Sequence, residues 1–202
     1  MIYIITGHYG AGKTNFSINL ALHLAKAGEN VSVADLDIVN PFFRTADFGS
    51  LFRENNIELL SSKYAVSNLD IPSLTFDLTE PVSNGRTLIV DVGGDDEGAK
   101  ALGRYKNTIG TMPYEMIFVA NFRRYLTQTA EQSLQIMREI EAASGFKITS
   151  IFNNTNLGEE TTPETLEKSK AEAVKLSLIS GLPLIYKNME IDVFVKTPFY
   201  NK

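Results

Sequence analysis

The feature that most constrains this chain lies near its start. Residues 7–14 read Gly-His-Tyr-Gly-Ala-Gly-Lys-Thr and match the pattern G-x-x-x-x-G-K-[ST]. Apolar residues 2–6 before the pattern predict a strand, and residues 13–27 predict a helix that Gly28 ends. This order favours a loop whose backbone N–H groups and helix dipole face an anion. We call residues 7–14 the phosphate loop; the alternative is a chance glycine turn between a strand and a helix.

The phosphate loop predicts contacts to a nucleoside triphosphate and to Mg²⁺. Lys13 is expected to reach the β- and γ-phosphates, and the Thr14 hydroxyl is expected to contact Mg²⁺. The residues expected to bind nucleotide here are Gly7, Gly10, Ala11, Gly12, Lys13, Thr14 and Asn15.

Composition limits the classes of protein and of partner. The 202 residues are enough for one domain over 1–202, and the lack of cysteine excludes disulfides and thiolate metal sites within the chain. The net charge of −5 argues against a role in binding DNA. No apolar run approaches the ~20 residues of a membrane span, and no signal peptide is visible. We therefore expect a cytoplasmic protein without a membrane partner.

Strand and helix patterns alternate along the chain. Such alternation predicts a three-layer α/β/α fold with a mainly parallel sheet of about seven strands. The predicted strands are 2–6, 31–35, 57–60, 87–92, 116–120, 148–152 and 184–186. The predicted helices are 13–27, 44–55, about 95–105, 127–143 and 163–180. Residues 61–86 follow no clear period, and a substrate pocket could lie there.

Acidic residues follow two of the predicted strands. Asp35 and Asp37 come at the end of the second strand, and Asp91 comes near the end of strand 87–92. The carboxyl ends of parallel strands are where such folds bind ligands, and carboxylates there can hold Mg²⁺ or orient water. The spacing Asp91-x-x-Gly94 is that of a loop whose glycine N–H senses a γ-phosphate. The alternatives are a solvated Asp pair before a turn and, for Asp91, a helix N-cap.

Polar residues after two later strands are further candidates. Arg123 and Arg124 could stabilise a phosphate, or they could pair with surface carboxylates. Asn153 or Asn154 could bind a purine edge, or they could belong to an Asn-rich turn. Guanine-binding proteins of this class use Asn-Lys-x-Asp, whereas this chain has Asn at position 156, which favours adenine.

These motifs, in this order, resemble the MinD/ParA/CobQ branch of phosphate-loop NTPases (the SIMIBI branch), which includes dethiobiotin synthetase. The resemblance implies that Asp35 contacts Mg²⁺ waters, that Asp37 places the attacking water and that Asp91 is the second Mg²⁺ element. It also implies a γ-phosphate-sensing role for Gly94 and an adenine-binding role for Asn153, with Asn154 as the neighbouring candidate. The run 35–44 with 91–98 is also similar to an uncharacterised bacterial subgroup known only as ATP-binding.

The phosphate loop departs from the MinD/ParA pattern at its second residue. Members of that branch carry a signature lysine there, which acts across a nucleotide-dependent dimer, and this chain has His8. A neutral imidazole cannot supply the same charge. Arg44, Arg123 and Arg124 are the possible substitutes.

The sequence thus predicts a protein that binds ATP and Mg²⁺. Lys13, Asp35 and Asp37 are the expected catalytic residues, and Thr14, Asp35 and Asp91 are the expected metal ligands. The first hypothesis is an ATP hydrolase that acts as a switch on a partner protein, with a nucleotide-dependent homodimer as one form. The alternatives are an ATP-dependent enzyme acting on a small molecule and a nucleotide-binding module with negligible turnover.

Overall fold

A computed structural model describes residues 1–37, 45–60, 77–94, 96–157 and 160–185. These residues contain one all-parallel sheet of six strands in the order β3-β2-β4-β1-β5-β6. The strands are β1 (Ile2–Thr6), β2 (Val31–Leu36), β3 (Glu58–Leu60), β4 (Thr87–Val92), β5 (Tyr114–Ala120) and β6 (Ser150–Asn153). The predicted α/β fold with a parallel sheet is confirmed, and the described residues form six strands where about seven were predicted. Arg44 and most of the stretch 61–86 lie outside the described residues.

The seventh predicted strand, at 184–186, is reduced in the described residues to one bridge. Leu184 pairs with Ile151 in parallel, and the Ile185 N–H donates to the Ile151 carbonyl. Position 186 lies outside the described residues.

Six helices accompany the sheet in the described residues. They are α1 (Lys13–Lys26), α2 (Gly49–Glu54), α3 (Thr79–Ser83), α4 (Asp96–Gly103), α5 (Ala130–Ser144) and α6 (Pro163–Ser180). The helix predicted for 44–55 is divided into a 3-10 turn, Thr45–Phe48, and α2. Helix α5 begins later than predicted because Thr129 caps it in a capping box with Gln132. No described helix is long and apolar enough to cross a membrane.

Two apolar clusters lie on opposite faces of the sheet. One joins the sheet to α4, α5 and α6, with Leu102, Met137 and Leu176 among its buried residues. The other contains Phe16 of α1 and Phe52 of α2 against the opposite face. Alternate residues of a strand point to opposite faces, so continuously apolar strands such as β4 fit a sheet covered on both sides. The result is the predicted three-layer arrangement.

The strand order places the end of β4 beside the start of the phosphate loop. Strand β4 lies between β1 and β2, so Ile5 pairs with Asp91, and Asp91 pairs with Asp35 in the next strand. Residues paired in neighbouring parallel strands share a face of the sheet. The phosphate loop and two of the predicted carboxylates therefore meet at one edge of the fold.

Candidate nucleotide-binding site

Three glycines give the phosphate loop its shape. Gly7, Gly10 and Gly12 have φ values of 146°, 72° and 90°, a region that side-chain-bearing residues rarely adopt. A Cβ on Gly7 would collide with the carbonyl oxygen of Val119, and one on Gly12 would collide with the Asn154 amide. The loop therefore needs glycine at these positions both for its backbone conformation and for close packing.

Lys13 is enclosed by the site. Its side chain belongs to the first turn of α1, is 6% exposed, and donates through Nζ to the carbonyl oxygen of His8 over 3.4 Å. A Cβ on Gly94 would lie 2.7 Å from Lys13 Nζ and equally close to the backbone N of Tyr9. The loop after β4 thus lies directly against the phosphate loop, and glycine is needed there for the approach.

Asp91 and Asp35 face the phosphate-loop side of the sheet. Asp91 follows Ile89 by two residues, and Ile89 packs in the cluster with α1. Because strand side chains alternate, Asp91 faces α1 too, and so does Asp35, its partner in β2. Both carboxylates are buried, with Asp35 8% and Asp91 1% exposed. The structure brings these two predicted residues together.

The Asp91 carboxylate has one bonded and one unbonded oxygen. The hydroxyl of Thr45, itself fully buried, donates to Oδ2 over 2.5 Å, whereas Oδ1 is buried without a hydrogen-bond partner in the described part of the chain. Burial raises the pKa of Asp91, and the Thr45 hydrogen bond, the Lys13 charge and the Thr14 hydroxyl oppose that rise. A buried carboxylate oxygen without a donor is a place that a cation or a hydrated cation would satisfy.

Asp35 and Asp37 form a local turn. The backbone N–H of Asp37 donates to Asp35 Oδ1 over 3.0 Å. This bond orients the Asp35 carboxylate at the end of β2, and Asp37 is the last described residue before the gap at 38–44.

His8 is less basic than a free histidine. Burial lowers its pKa, and the positive charge of Lys13 lowers it further. Both effects favour the neutral form of the imidazole at the second position of the phosphate loop.

The side chain of Asn15 is bound along its own helix. Its carbonyl oxygen and its Oδ1 both accept from Asn19 Nδ2 over 2.8 Å. A role for Asn15 in binding nucleotide would therefore use its backbone N–H or its side-chain Nδ2.

The two candidate base-binding asparagines have different contacts. Asn153 Oδ1 accepts from the backbone N–H and hydroxyl of Thr155, and its Nδ2 donates to Ser169 Oγ over 3.1 Å. Asn154 is buried, and its Nδ2 donates to the carbonyl oxygen of Ala11 in the phosphate loop over 2.8 Å. Asn154 therefore holds the phosphate loop, a contact that the sequence did not indicate.

The two arginines after β5 also differ. Arg124 Nε donates to the carbonyl oxygen of Gly10 over 2.8 Å, although the side chain is exposed. Arg123 is exposed, and its side chain makes no hydrogen bond or ion pair with the described residues. Of these two arginines, Arg124 is the one that reaches the phosphate loop in the described residues.

Thr45 is the site residue that sequence reasoning missed. It lies 46 positions before Asp91 and follows no motif. A lone threonine at the start of a predicted helix has no sequence signal for such a contact.

The donor set fits Mg²⁺ bound together with a nucleotide. No group of three or more His, Cys, Asp or Glu side chains in the described residues could hold a metal ion alone. Mg²⁺ is usually held by one or two carboxylates together with substrate phosphates and waters. Asp35, Asp91 and the Thr14 hydroxyl are consistent with that arrangement.

Comparison with known proteins identifies the fold. No protein-family model matches the sequence, and no curated protein matches it significantly. Among solved structures, the chain is similar to the cell division protein FtsY of Thermotoga maritima, with a TM-score of 0.64 and 17% identity over 96% of this chain and 63% of that one.

Two further solved structures resemble the chain. The signal recognition particle receptor FtsY of Elizabethkingia anophelis, in complex with GDP, has a TM-score of 0.58 and 17% identity over 95% of this chain and 58% of that one. The signal recognition particle 54 kDa protein of Aeropyrum pernix K1, also with GDP, has a TM-score of 0.59 and 18% identity over 91% of this chain and 40% of that one.

The chain spans about three fifths of the length of these FtsY chains. At identities below one fifth the likeness concerns the fold. The chain therefore shares the α/β fold of these structures, with a single parallel sheet and flanking helices.

Proposed function

We propose that this chain binds Mg²⁺ and a nucleoside triphosphate, ATP in the first place, and hydrolyses it slowly as a switch that acts on a partner protein. One observation carries the proposal. The unbonded Oδ1 of Asp91 is buried at the edge of the sheet where Lys13 and the glycine-shaped phosphate loop meet. A buried carboxylate oxygen without a donor is costly unless the site receives a cation.

Different residues of this chain would bind the phosphates, the Mg²⁺ ion and the attacking water. Backbone N–H groups of the phosphate loop and the N-terminus of α1 would bind the phosphates, and Lys13 would neutralise their charge. Thr14, Asp35 and Asp91 would hold Mg²⁺, which neutralises charge that develops on the phosphoryl oxygens. Asp37 would orient the attacking water or the hydroxyl acceptor of a substrate. Burial of Lys13 and Asp91 excludes water around these groups and strengthens their electrostatic effect.

ATP is favoured over GTP by the residue at position 156. Guanine recognition of the Asn-Lys-x-Asp type needs a carboxylate there, and the Asn156 amide instead donates to the Asn154 carbonyl over 2.8 Å. Asn153 is the adenine-binding candidate, and Asn154 acts through the phosphate loop. GTP remains a second candidate nucleotide because two of the structural neighbours carry GDP.

A switch role is supported by two contacts at the end of β4. Gly94 lies so near the phosphate loop that a Cβ on it would be 2.7 Å from the Tyr9 backbone and from Lys13 Nζ, and Thr45 donates a hydrogen bond to Asp91. Nucleotide bound at the phosphate loop would lie beside both Gly94 and the Thr45–Asp91 hydrogen bond. Contacts to a γ-phosphate order segments of this kind in nucleotide switches. The structural neighbours named as a receptor and a particle component favour a protein partner over a metabolite.

Sedimentation with turnover assays separates the three hypotheses. The full chain is studied with Mg-ATP, Mg-GTP and Mg-ADP, and ADP or GDP release is measured in parallel. Association only with a triphosphate and slow release support the switch. Turnover that a small metabolite accelerates many-fold would favour the small-molecule enzyme, and tight binding without product would favour the binding module. Failure to bind any of the three nucleotides would overturn the proposal.

A further inference from the structure

The loop between β5 and α5 extends to the mouth of the phosphate loop. Arg124, 114 positions away in the chain, donates from Nε to the Gly10 carbonyl oxygen over 2.8 Å. A Cβ placed on Gly10 would lie 3.2 Å from Arg124 Nε and 3.4 Å from its Cζ. The guanidinium group therefore lies close to the glycine at the fourth position of the phosphate loop.

The loop that carries Arg124 is fixed by hydrogen bonds within it and to the end of β6. Thr127 is buried, and its hydroxyl donates to the Asn121 carbonyl over 2.8 Å. The Phe122 N–H donates to the hydroxyl of Thr155 over 2.9 Å, which links the loop to the end of β6. Leu126 has a φ of 70°, which a residue other than glycine keeps only where its surroundings determine it. The backbone around Arg124 is thus fixed by these hydrogen bonds.

Only one of the guanidinium nitrogens is used in the described structure. Nε bonds Gly10, whereas the two Nη groups have no hydrogen bond or ion pair to any described residue. A guanidinium has five N–H donors in a fixed plane, and phosphate oxygens are the partners that match this geometry. The Nη groups remain as donors for an anion beside the phosphate loop.

The basic residues within the phosphate loop are Lys13 and His8. Lys13 is buried under the phosphate loop, and burial together with Lys13 lowers the pKa of His8. His8 therefore adds less positive charge beside the phosphate loop than a free histidine would.

We propose that Arg124 is a nucleotide-phosphate-binding residue that acts in two ways: its Nε–H holds the phosphate loop at Gly10, and its Nη groups donate to the phosphates of a bound nucleotide. The inference rests on the proposed function, since it requires nucleotide at the phosphate loop. It distinguishes Arg124 from its neighbour Arg123, which has no such contact. Arg124 would then supply a positive charge at the phosphate loop, whose second position is His8 and not a lysine.

The experiment separates the Nε–H bond to Gly10 from the contribution of the Nη groups and their positive charge. Gln has its Nε2 at the same chain position as Arg Nε, so Arg124→Gln can keep the bond to Gly10 while it removes the Nη groups and the charge. Arg124→Ala removes both, and Arg123→Gln is the matched control on the adjacent exposed arginine. Affinities for Mg-ATP and Mg-GTP and hydrolysis rates are measured on the full chain, with thermal unfolding to verify that each variant folds.

We expect Arg124→Gln and Arg124→Ala to weaken triphosphate binding about 10- to 100-fold, the range for charged hydrogen bonds. Arg123→Gln should equal wild type, and the loss should shrink as salt rises because the lost term is electrostatic. An Arg124→Gln variant that binds like wild type would leave Arg124 only its bond to Gly10 and overturn the inference. Equal losses in Arg124→Gln and Arg123→Gln would overturn it as well.

The failure of the proposed function has a different signature. If the wild-type chain binds neither nucleotide, and Lys13→Ala leaves this unchanged, the proposed function and the inference fall together. If wild type binds nucleotide through Lys13 and only the Arg124 results contradict expectation, the inference alone falls.

Discussion

The hydroxyl of Thr45 donates to Oδ2 of Asp91 over 2.5 Å, and both side chains are buried. Thr45 begins the turn that leads into α2, and Asp91 lies in β4, so this bond joins the start of that turn to the centre of the sheet. A carboxylate at this place keeps one oxygen bonded and one unbonded. A buried carboxylate oxygen without a donor is a place that a cation would satisfy.

Replacing Thr45 by Val should destabilise the chain. The hydroxyl is the donor to a buried carboxylate, and its loss should lower the free energy of unfolding by about 1–3 kcal/mol. Thr45→Ser keeps the hydroxyl and should cost less. Denaturant unfolding of the two variants measures the difference. Equal stabilities for Val and Ser would contradict a role for this bond.

Replacing Gly94 by Ala should weaken nucleotide binding. The new Cβ would lie 2.7 Å from Lys13 Nζ and from the Tyr9 backbone, closer than real Cβ contacts. Either the phosphate loop or the loop after β4 must then move, and we expect an affinity loss of roughly tenfold, or about 1.4 kcal/mol. Gly49→Ala is the control, since its Cβ would meet Leu59 at 3.7 Å, an ordinary contact. Calorimetric titration with Mg-ATP measures both variants. A Gly94→Ala variant that binds like Gly49→Ala would contradict the expectation.

Replacing Asn154 by Ala should affect all nucleotides alike. Its amide donates to the Ala11 carbonyl, so the change removes a buried hydrogen bond and loosens the phosphate loop. We expect a stability loss of about 1–3 kcal/mol and similar decreases in ATP and GTP affinity. Asn153→Ala, in contrast, should change the ratio of the two affinities if Asn153 binds the base. A changed ratio in Asn154→Ala alone would assign the base to Asn154 instead.

Acid should destabilise the chain through His8. Burial and the Lys13 charge lower the pKa of His8 in the folded chain, so the unfolded chain takes up a proton first as pH falls below about 6.5. The contribution of His8 to stability is therefore present above that pH and is lost as pH falls through the lowered pKa. Wild type should lose more thermal stability than His8→Asn between about pH 7.5 and 5.5. A wild type that gains stability relative to His8→Asn in acid would contradict the sign.

Much of the fold follows from local patterns. β1, β4 and α6 begin and end where the sequence predicted, because continuous apolar runs and a Pro-containing helix start mark their limits. The phosphate loop and the carboxylates of Asp35 and Asp91 were predicted from their places after strands, and the strand pairing brings the two carboxylates together.

The long-range contacts of the site could not be predicted in this way. Thr45, Arg124 and Asn154 contact residues 46, 114 and 143 positions away, respectively. Periodicity and capping describe only neighbours along the chain, so they name residue types at the ends of strands but not which of them touch. The strand order β3-β2-β4-β1-β5-β6 supplies that information.

Calorimetric titration of the full chain with Mg-ATP tests the central claim most directly. Wild type should bind one Mg-ATP per chain, bind Mg-GTP more weakly, and lose affinity when Mg²⁺ is chelated. Lys13→Ala should bind about 10- to 100-fold more weakly, since a charged hydrogen bond is lost. No binding by wild type, or equal affinity in wild type and Lys13→Ala, would contradict the proposal that residues 7–14 bind the phosphates of a nucleotide.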